Sequence, residues 1–540
     1  MPLDGSWGSF FGRLVSAQVV SFLLFVPHMA KFTRFQTRNL FQWSRTDAVC
    51  LLVGVVLVGL CFMLAHQLIR VAGGPRLKHL SGHLFLLAFG AGVLANAGAG
   101  LSRLGESVDG VAAVSGVILQ TAWLLLVAWV AYSWGRPSSK SVLRARQACQ
   151  VLCPVFPLAA LALLSLPTYP PAVDPSPGVP AVATTPAASS AADRGSIYVF
   201  VFDAWSYERT FREGHLRAEF INLSELARKS LVFHDAHSPG PDTERSMLGL
   251  LFSTDDPVSS DAHGFGFEKD GAFVSAQDYE SLFALASSAG LRTHFSGFFL
   301  PYRWWLGDQV NVLQTYPWHK YYLGADVLTR TGLHLLKGTA YWTDPWTSFV
   351  RPRTDVLLSD TQARWVHRNM KRDVLDVLAG PSEQTFAVFH YPLPHFPYLW
   401  NTDGSYDQRW AGSWEDPDVE GYERNLAALD ALIGTFMNTL KRTGRFEDAT
   451  IVLTSDHTWN NDPDRWNGRI DTPSTHVPLL VKLPRQQHTK DVTVRFQTHE
   501  LRRIVSDVLD GKIDPGQLVA RIQPTKAEIE TPSTLAGLVQ

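Results

Sequence analysis

The chain has 540 residues, of which 46% are hydrophobic and 18% are charged, and its 48 Lys and Arg against 50 Asp and Glu give a net charge of −2. This length allows about three or four domains with sizeable cores, and the composition excludes a disordered chain, a collagen and a small disulfide scaffold. We expect no nucleic-acid partner, because phosphate binding needs a marked excess of Lys and Arg on at least one face.

The charges are unevenly distributed on the two sides of Arg194. Residues 1–194 contain 14 Lys and Arg and 6 Asp and Glu, a net charge of +8, and the remaining 34 basic and 44 acidic residues give the rest of the chain −10. Three long uncharged runs lie in the basic part: Ala48–Ile69, Leu80–Leu101 and Gly110–Ser133. Each run is long enough to cross a hydrocarbon core of about 30 Å as a helix.

Two weaker apolar runs, Leu14–Ala30 and Ala148–Leu166, bring the predicted number of membrane spans to five. A signal peptide is the alternative interpretation of the first run, although the stretch after it has no small-x-small cleavage site. We therefore predict an α-helical transmembrane domain over residues 1–166. The basic loop over 136–146 predicts a cytoplasmic position for that loop and an extracytoplasmic position for everything after Leu166.

The basic loop over residues 31–46 does not fit this orientation, and its aromatic residues indicate a segment that lies in the membrane interface. The alternative is that one early run does not span, which places this loop inside and leaves the C-terminal part outside. After the last predicted span, residues 167–194 contain seven prolines and read as an extended, semi-rigid linker. The chain from residue 195 to 540 is then predicted to be an exported domain.

The exported domain alternates predicted strands and helices. In chain order these are the strand Ser196–Phe202, the helix Tyr279–Ala289, the strand Leu291–Gly297, the strand Phe386–Phe389, the amphipathic helix Tyr422–Arg442 and the strand Thr450–Thr454. Short continuous apolar strands are buried on both faces, and their alternation with helices predicts an α/β domain with a mostly parallel sheet.

Ionisable residues follow three of these strands. Asp203 follows the first, His390 follows Phe386–Phe389, and Asp456 with His457 follows the last. Open parallel sheets carry ligands at this end of their strands. Oxygen and nitrogen donors from Asp203, Asp456 and His457 suit a divalent cation such as Zn²⁺ or Mn²⁺. The alternative for any one aspartate alone is a helix cap.

Thr243 lies where a Pro- and Gly-rich loop enters a predicted helix. Free backbone N–H groups and the helix dipole favour an anion at such a position. The alternative is that Thr243 only caps the helix, with Glu244 or Ser246 in supporting roles.

Together these residues resemble the alkaline phosphatase superfamily, in particular its sulfatase-like membrane branch of lipoteichoic acid synthases and phosphoethanolamine transferases. In that family an acidic residue after the first strand, a threonine that opens a helix and a Ser-Asp-His after a late strand bind the metal and supply the nucleophile. The resemblance covers roughly residues 196–485. It implies a sulfatase-like fold, one divalent metal ion held by Asp203, Thr243, Asp456 and His457, and Thr243 as the nucleophile. Whether a second metal binds is left open.

Three histidines are further candidates. Residues 390–398, with the sequence His-Tyr-Pro-Leu-Pro-His-Phe-Pro-Tyr, resemble the family's His-Pro motif, which contacts the transferred or leaving group. This resemblance implies a catalytic and substrate-binding role for His395 and a substrate-binding role for His390. His476, before Val-Pro-Leu-Leu-Val, is a third substrate-binding candidate. The alternative for each is a structural histidine.

The sequence departs from the family in ways that narrow the reaction. Residues 237–253 contain no C/S-x-P-x-R pattern, which disfavours hydrolysis of sulfate esters through formylglycine. The membrane transferases usually have Glu where this chain has Asp203, and Gly where it has Thr458. These two differences leave the substrate open.

The resemblance implies a metal-dependent phosphotransferase of the bacterial inner membrane, multi-pass, with its catalytic domain outside the cytoplasm. It would move a phosphoglycerol- or phosphoethanolamine-type headgroup from a phospholipid donor, through phosphothreonine, to an envelope glycan or lipid acceptor. One alternative is a membrane-anchored hydrolase that acts as a phosphodiesterase, phosphatase or sulfuric ester hydrolase. The other is a catalytically inactive, membrane-tethered binding protein.

Overall fold

The computed structural model describes residues 6–31, 44–72, 81–93, 96, 139–165, 195–260, 265–316, 328, 331–332, 334–335, 353–380, 383–406 and 418–522. The chain divides into two compact units. The first comprises Met1–Tyr169 and His319–Arg353, and the second comprises Pro170–Trp318 and Thr354–Gln540.

The described part of the first unit is helical. Its helices are α1 (Ser6–Lys31), α2 (Arg45–Ala72), α3 (Ser81–Val93), α4 (Ser139–Leu152) and α5 (Val155–Leu164). Phe25 of α1 and Leu51 of α2 are buried in one apolar core. The hydroxyl of Ser21 donates a 2.6 Å hydrogen bond to the carbonyl of Val55, so a polar side chain of α1 is satisfied inside the unit by the backbone of α2.

One helix of the described residues, Arg45–Ile69, is long and apolar enough to cross a membrane. Helices α4 and α5 pass the same test only together, with a bend of 42° at their junction. Pro154 lies in that junction, where its missing N–H removes a helical hydrogen bond. The apolar helices Phe10–Val26 and Ser81–Val93 are shorter.

The described residues thus contain one or two candidate spans, and the five-span arrangement stays a prediction. The run Gly110–Ser133, most of the 31–46 loop and the linker over 167–194 lie outside the part of the chain that the structure describes.

Described residues of the segment His319–Arg353 contribute to the interior of the first unit. His334 is fully buried, and its Nδ1 lies 3.3 Å from Nε2 of His28 in α1. Leu335 packs on the apolar core, beside Gly54 of α2. A Cβ on Gly54 would lie 3.2 Å from the Leu335 side chain, so glycine leaves the room that Leu335 fills.

The second unit contains fifteen described strands. They are β1 (Ile197–Phe202), β2 (Phe211–Arg212), β3 (His215–Leu216), β4 (Leu231–Phe233), β5 (Ala236–His237), β6 (Val258–Ser260), β7 (Phe265–Lys269), β8 (Ala272–Ser275), β9 (Arg292–Phe298), β10 (Val312–Tyr316), β11 (Thr385–Tyr391), β12 (Thr450–Ser455), β13 (Leu479–Lys482), β14 (Lys490–Val492) and β15 (Phe496–Gln497). Eight form the central sheet, in the order β10-β9-β11-β1-β12-β13-β4-β14. The first five strands of this order, β10, β9, β11, β1 and β12, are parallel to one another, and β13 is antiparallel to both of its neighbours. The predicted α/β domain with a mostly parallel sheet is confirmed.

The α-helices of the second unit connect these strands. They are α6 (Tyr207–Thr210), α7 (Ile221–Ala227), α8 (Thr243–Phe252), α9 (Leu282–Ser288), α10 (Tyr302–Leu306), α11 (Arg353–Ala379), α12 (Val419–Arg442), α13 (Pro463–Trp466), α14 (Leu501–Leu509) and α15 (Pro515–Ile522). Helix α9 begins later than its predicted start at Tyr279, because the side chain of Ser281 caps it by accepting a hydrogen bond from the N–H of Ala284.

The core forms where helix α12 covers the central strands. All six residues of β1 are buried, and the ring of Phe200 stacks at 5.3 Å on Phe436 of α12. Burial of an aromatic ring of this size stabilises the fold by about 1.5–3 kcal/mol. The apolar stripe predicted for Tyr422–Arg442 is therefore the face that packs on the sheet.

Strand register brings the ionisable residues to one edge. Phe202 at the end of β1 pairs with Ser455 at the end of β12 on one side and with Tyr391 at the end of β11 on the other. The residues that follow, Asp203 and Asp456, are therefore neighbours at the carboxyl edge of the sheet.

Candidate metal centre and active site

A strained turn directs Asp203 and Asp456 toward each other. Ala204 has a φ of 61°, a left-handed conformation that costs a non-glycine residue about 1–2 kcal/mol. In this conformation the Ala204 N–H donates a 3.0 Å hydrogen bond to Oδ1 of Asp456, and the Ala204 carbonyl accepts a 2.7 Å hydrogen bond from the hydroxyl of Tyr422. These bonds hold the turn and fix one oxygen of Asp456, which leaves Oδ2 for another partner.

Thr243 is the first residue of helix α8. The preceding Asp242 caps the helix by accepting a hydrogen bond from the N–H of Arg245, so capping does not occupy the Thr243 side chain. Its Oγ1 lies 3.2 Å from Nε2 of His457. Nδ1 of His457 donates to the carbonyl of Thr458 at 2.7 Å, so Nε2 carries the lone pair that faces Thr243.

Unsatisfied atoms converge at this edge of the sheet. Asp203 Oδ1, Asp456 Oδ2 and His390 Nε2 are buried and have no hydrogen-bond partner, and ligand atoms of these three residues lie within 4.8 Å of one another. Such atoms are costly to bury unless they bind something. Nε2 of His457 lies 3.6 Å from Asp203 Oδ1 and 3.5 Å from Asp456 Oδ2.

These separations fit a divalent cation. Two ligands of a tetrahedral Zn²⁺, with bonds of about 2.0–2.2 Å, lie roughly 3.3–3.6 Å apart. The separations from His457 match this range, and His390 Nε2 lies 3.7 Å from Asp456 Oδ2, too long for a hydrogen bond but close to the spacing of two ligands on one ion. We call Asp203, Thr243, His390, Asp456 and His457 the metal cluster.

The two carboxylates differ in their affinity for protons. Burial raises the pKa of Asp203 well above its usual range, and the charge of Asp456 raises it further. Burial also opposes ionisation of Asp456, but the nearby imidazoles of His457 and His390 and the hydrogen bond from the Ala204 N–H hold its pKa well below its usual range. A cation at this edge would favour ionisation of both carboxylates.

His395 lies beside the metal cluster. Its backbone N–H donates a 3.1 Å hydrogen bond to the carbonyl of Asp203, and its Nδ1 donates to the carbonyl of Phe396 at 2.6 Å. Burial lowers the pKa of His395 to about 4. The ring is therefore neutral at pH 7, with its proton on Nδ1 and a lone pair on Nε2.

His476 has a different environment. Its Nδ1 lies 2.8 Å from Oε1 of Glu208, and its Nε2 lies 3.1 Å from the carbonyl of His234. Both partners are acceptors, so both ring nitrogens donate and the ring is an imidazolium. Substrate binding by His476 would require one of these bonds to break.

Three contacts of functional interest were not predicted from the sequence. His390 is predicted as a substrate ligand, yet the structure groups its Nε2 with the two carboxylates. The position of this histidine at the end of a buried parallel strand is a sequence signal that could have predicted the contact. The hydrogen bond between Tyr302 and His390 and the pairing of Glu208 with His476 join residues far apart in the chain, and no local pattern predicts them.

Comparison with known proteins identifies the family. Residues 197–509 match the Sulfatase family model, which is more than half of the chain. No curated protein matches the sequence.

Solved structures with related folds have low sequence identity. A protein in the alkaline phosphatase superfamily from Vibrio parahaemolyticus is 14% identical with a TM-score of 0.38, and the match covers 59% of this chain and 66% of that one. The C-terminal periplasmic domain of EptC from Escherichia coli is 15% identical with a TM-score of 0.37, with 62% and 87% covered. The lipoteichoic acid synthase LtaP from Listeria monocytogenes is 12% identical with a TM-score of 0.36, with 60% and 73% covered.

Proposed function

The chain belongs to the sulfatase family, and from this premise we propose that it is a membrane-anchored phosphotransferase. Members of this family are metal-dependent hydrolases or phosphotransferases, and the chain is an enzyme of this kind. In the proposed reaction a phosphoglycerol- or phosphoethanolamine-type headgroup moves from a phospholipid donor to an envelope glycan or lipid. The intermediate is phosphothreonine at Thr243.

One observation carries the proposal: the hydroxyl of Thr243 opens a helix and lies 3.2 Å from His457, next to two buried carboxylates with unsatisfied oxygens. A capping threonine would bond the backbone of its own helix, but Asp242 has that role here. The N-terminus of a ten-residue helix also favours the negative charge of a phosphoryl group.

Asp203, Asp456 and His457 would hold one divalent cation, with Thr243 beside it and Nε2 of His390 3.7 Å from Oδ2 of Asp456. When bound, such an ion lowers the pKa of a coordinated oxygen and stabilises negative charge that develops on the phosphoryl group. The two carboxylates balance its charge. The divalent cation and the two carboxylates together have no net charge. Such a site favours a singly charged phosphodiester over a doubly charged phosphomonoester.

The chemical steps need one proton acceptor. Oγ1 of Thr243 attacks phosphorus in line, the bond from phosphorus to the lipid oxygen breaks, and phosphothreonine forms. His395, neutral with a lone pair on Nε2, accepts the proton that Thr243 loses and returns it to the departing lipid oxygen. In the second half the acceptor hydroxyl loses its proton in the same way, bonds to phosphorus and releases Thr243.

The predicted anchor suits a lipid donor. The apolar helix Arg45–Ile69 supports membrane attachment, and the proline-rich linker over 167–194 would keep the domain from residue 195 to 540 close to lipid headgroups. Tethering of this kind raises the effective concentration of a membrane substrate. We propose the bacterial inner membrane as the location, with the catalytic domain outside the cytoplasm.

The test is to trap the intermediate. The full-length protein in phospholipid vesicles is quenched with acid, and Thr243 is examined by mass spectrometry. We expect an adduct whose mass identifies the transferred group, and we expect Thr243→Ala to abolish both adduct and turnover. Thr254→Ala, at the opposite end of helix α8, is the matched control. Turnover by Thr243→Ala at the wild-type rate would refute the proposal.

Product analysis separates transfer from hydrolysis. With phospholipid labelled in its headgroup, transfer places the label on a glycan or lipid acceptor, whereas hydrolysis releases it as a free headgroup phosphate. Release of all label to water would favour the hydrolase. A full-length protein that neither binds metal nor turns over a chromogenic phosphodiester would favour an inactive binding protein.

A further inference from the structure

Tyr302 is a buried residue that touches the metal cluster. It begins helix α10, directly after strand β9, and its side chain is fully buried. Its hydroxyl lies 2.5 Å from Nδ1 of His390. The other ring nitrogen of His390, Nε2, faces Oδ2 of Asp456 and has no hydrogen-bond partner. One side of the imidazole is therefore held by Tyr302, and the other side is directed at the carboxylates.

The surroundings leave little freedom to either ring. The ring of Phe298 stacks on His390 at 4.8 Å, which fixes the plane of the imidazole. Tyr302 packs at 4.4 Å against Phe295. A Cβ on Gly297 would lie 2.8 Å from the Tyr302 ring, so glycine at this point of β9 leaves the space that the ring occupies. The hydroxyl of Tyr302 is thus positioned by packing before any ligand binds.

This contact gives His390 an acceptor for a proton on Nδ1. A neutral imidazole has one N–H, and a nitrogen that binds a cation must present a lone pair. When Nδ1–H donates to the oxygen of Tyr302, Nε2 presents its lone pair toward Asp203 and Asp456. A ring held in this tautomer and orientation can bind a cation without first reorganising.

We propose that Tyr302 is a positioning residue for the metal cluster: it holds His390 so that Nε2 joins Asp203 and Asp456 as a metal ligand. The inference rests on the proposed function, because that function requires a cation at this site. Loss of an outer-shell partner of a ligating histidine typically weakens metal binding by about 10- to 100-fold.

The test is Tyr302→Phe, which removes one oxygen and keeps the ring. Tyr391→Phe is a close control, because Tyr391 is also fully buried and its hydroxyl lies 2.9 Å from Nδ1 of a histidine, His367, outside the metal cluster. Full-length proteins purified in detergent are titrated with Co²⁺, and binding is followed by visible absorption. We expect Tyr302→Phe to bind Co²⁺ about 10- to 100-fold more weakly with a shifted spectrum, and Tyr391→Phe to match the wild type.

A double substitution shows whether the effect passes through His390. In a His390→Gln background we expect Tyr302→Phe to change Co²⁺ affinity no further. A full additional loss would overturn the positioning role. If Tyr302→Phe does not fold, 3,5-difluorotyrosine at position 302 keeps the ring and weakens the oxygen as an acceptor, and it should weaken Co²⁺ binding in the same direction.

The two possible failures are distinguishable. A wild-type protein that binds no Co²⁺ would overturn both the proposed function and this inference. A wild-type protein that binds Co²⁺, together with Tyr302→Phe and difluorotyrosine variants of wild-type affinity, would overturn the inference alone.

Discussion

Two clusters of carboxylate and histidine side chains lie in the α/β unit, one buried and one partly buried, and they differ in how their polar atoms are satisfied. In the metal cluster, Asp203 Oδ1, Asp456 Oδ2 and His390 Nε2 have no hydrogen-bond partner. In the second, which we call the Glu208 cluster, Glu208 accepts hydrogen bonds from His476 and Thr472, and the remaining nitrogen of His476 bonds a carbonyl.

This difference indicates a ligand-binding role for the metal cluster and a structural role for the Glu208 cluster. Unsatisfied buried atoms destabilise a fold unless a ligand pairs with them, whereas a satisfied cluster contributes to the fold by itself. Residue types alone do not distinguish the two, because both clusters combine acids with histidines. The predictions below test this contrast.

The largest effect is expected from Asp456→Ala. Oδ1 of Asp456 holds the N–H groups of Ala204 and His457, and Oδ2 faces the metal cluster. We expect the variant to lose bound metal and, with it, measurable turnover, because the proposed reaction requires the ion. Metal analysis of the purified protein checks this. Glu208→Gln is the matched control from the Glu208 cluster, and equal metal loss in both variants would contradict the contrast.

A smaller loss of activity is expected from His395→Gln. Its neutral ring would transfer the proton between the attacking and departing oxygens, a role that typically contributes about 10²- to 10⁴-fold. We expect kcat to fall within that range while metal content stays at the wild-type level. Turnover of a phosphodiester at saturating substrate measures it. A wild-type kcat would remove His395 from the reaction.

Metal removal should destabilise the protein, and Asp203→Asn should reduce the effect. A ligand present at about 100 to 1,000 times its Kd stabilises the folded state by roughly 3–4 kcal/mol. Without metal, Asp203 and Asp456 are adjacent buried acids, and Asn at position 203 removes the repulsion between them. Denaturation with and without chelator measures both effects. A metal-free Asp203→Asn protein clearly less stable than the metal-free wild type would argue against unsatisfied carboxylates at this site.

His476→Gln should act on stability and leave the reaction intact. The variant loses one of the two charged partners of Glu208, His476, and keeps Arg465. The partly buried carboxylate is then paired less well, at a cost of about 1–3 kcal/mol in the free energy of unfolding. We expect kcat and KM of the folded variant to match the wild type. A raised KM with unchanged stability would instead support the substrate-binding role predicted from the sequence.

The smallest effect is a pH dependence from the same pair. Burial lowers the pKa of His476, but the hydrogen bond and charge of Glu208 outweigh it and raise the pKa above its ordinary value of 6.5. The stabilisation is complete below pH 6.5 and is lost as the pH rises through the folded-state pKa. Denaturation measured at a series of pH values should show that His476→Gln lacks this part of the loss of stability at higher pH. An identical pH profile in the variant would show that the pair does not titrate as described.

Glu208 should cause a corresponding loss of stability at acid pH. Burial raises its pKa, but the hydrogen bonds of His476 and Thr472 hold it below its ordinary value of 4.5. Its stabilisation is present above pH 4.5 and is lost as the pH falls through the folded-state pKa. Glu208→Gln should reduce the loss of stability at acid pH. If the variant loses as much stability as the wild type, other carboxylates cause the loss.

Local features of this protein can be predicted from its amino-acid sequence. Short apolar runs predicted β1, β9, β11 and β12, and the residues that follow them marked Asp203, Asp456 and His457 for the carboxyl edge of a parallel sheet. A Pro- and Gly-rich loop followed by helical spacing placed Thr243 at a helix N-terminus. These features depend on neighbours a few residues apart, which is the range over which periodicity and capping act.

Contacts between side chains that are far apart in the sequence depend on the packed fold. Strand β11 is buried on both faces, so its pattern does not say toward which partner His390 points. That direction depends on Tyr302, 88 residues earlier, and on the register that brings Asp456 alongside. Likewise, the sequence analysis names both His395 and His476 as substrate-binding candidates, but Glu208, 268 residues away, pairs with His476 and makes it an imidazolium. Hydrogen bonding between residues far apart in the sequence depends on the packed fold, so no local sequence pattern predicts it.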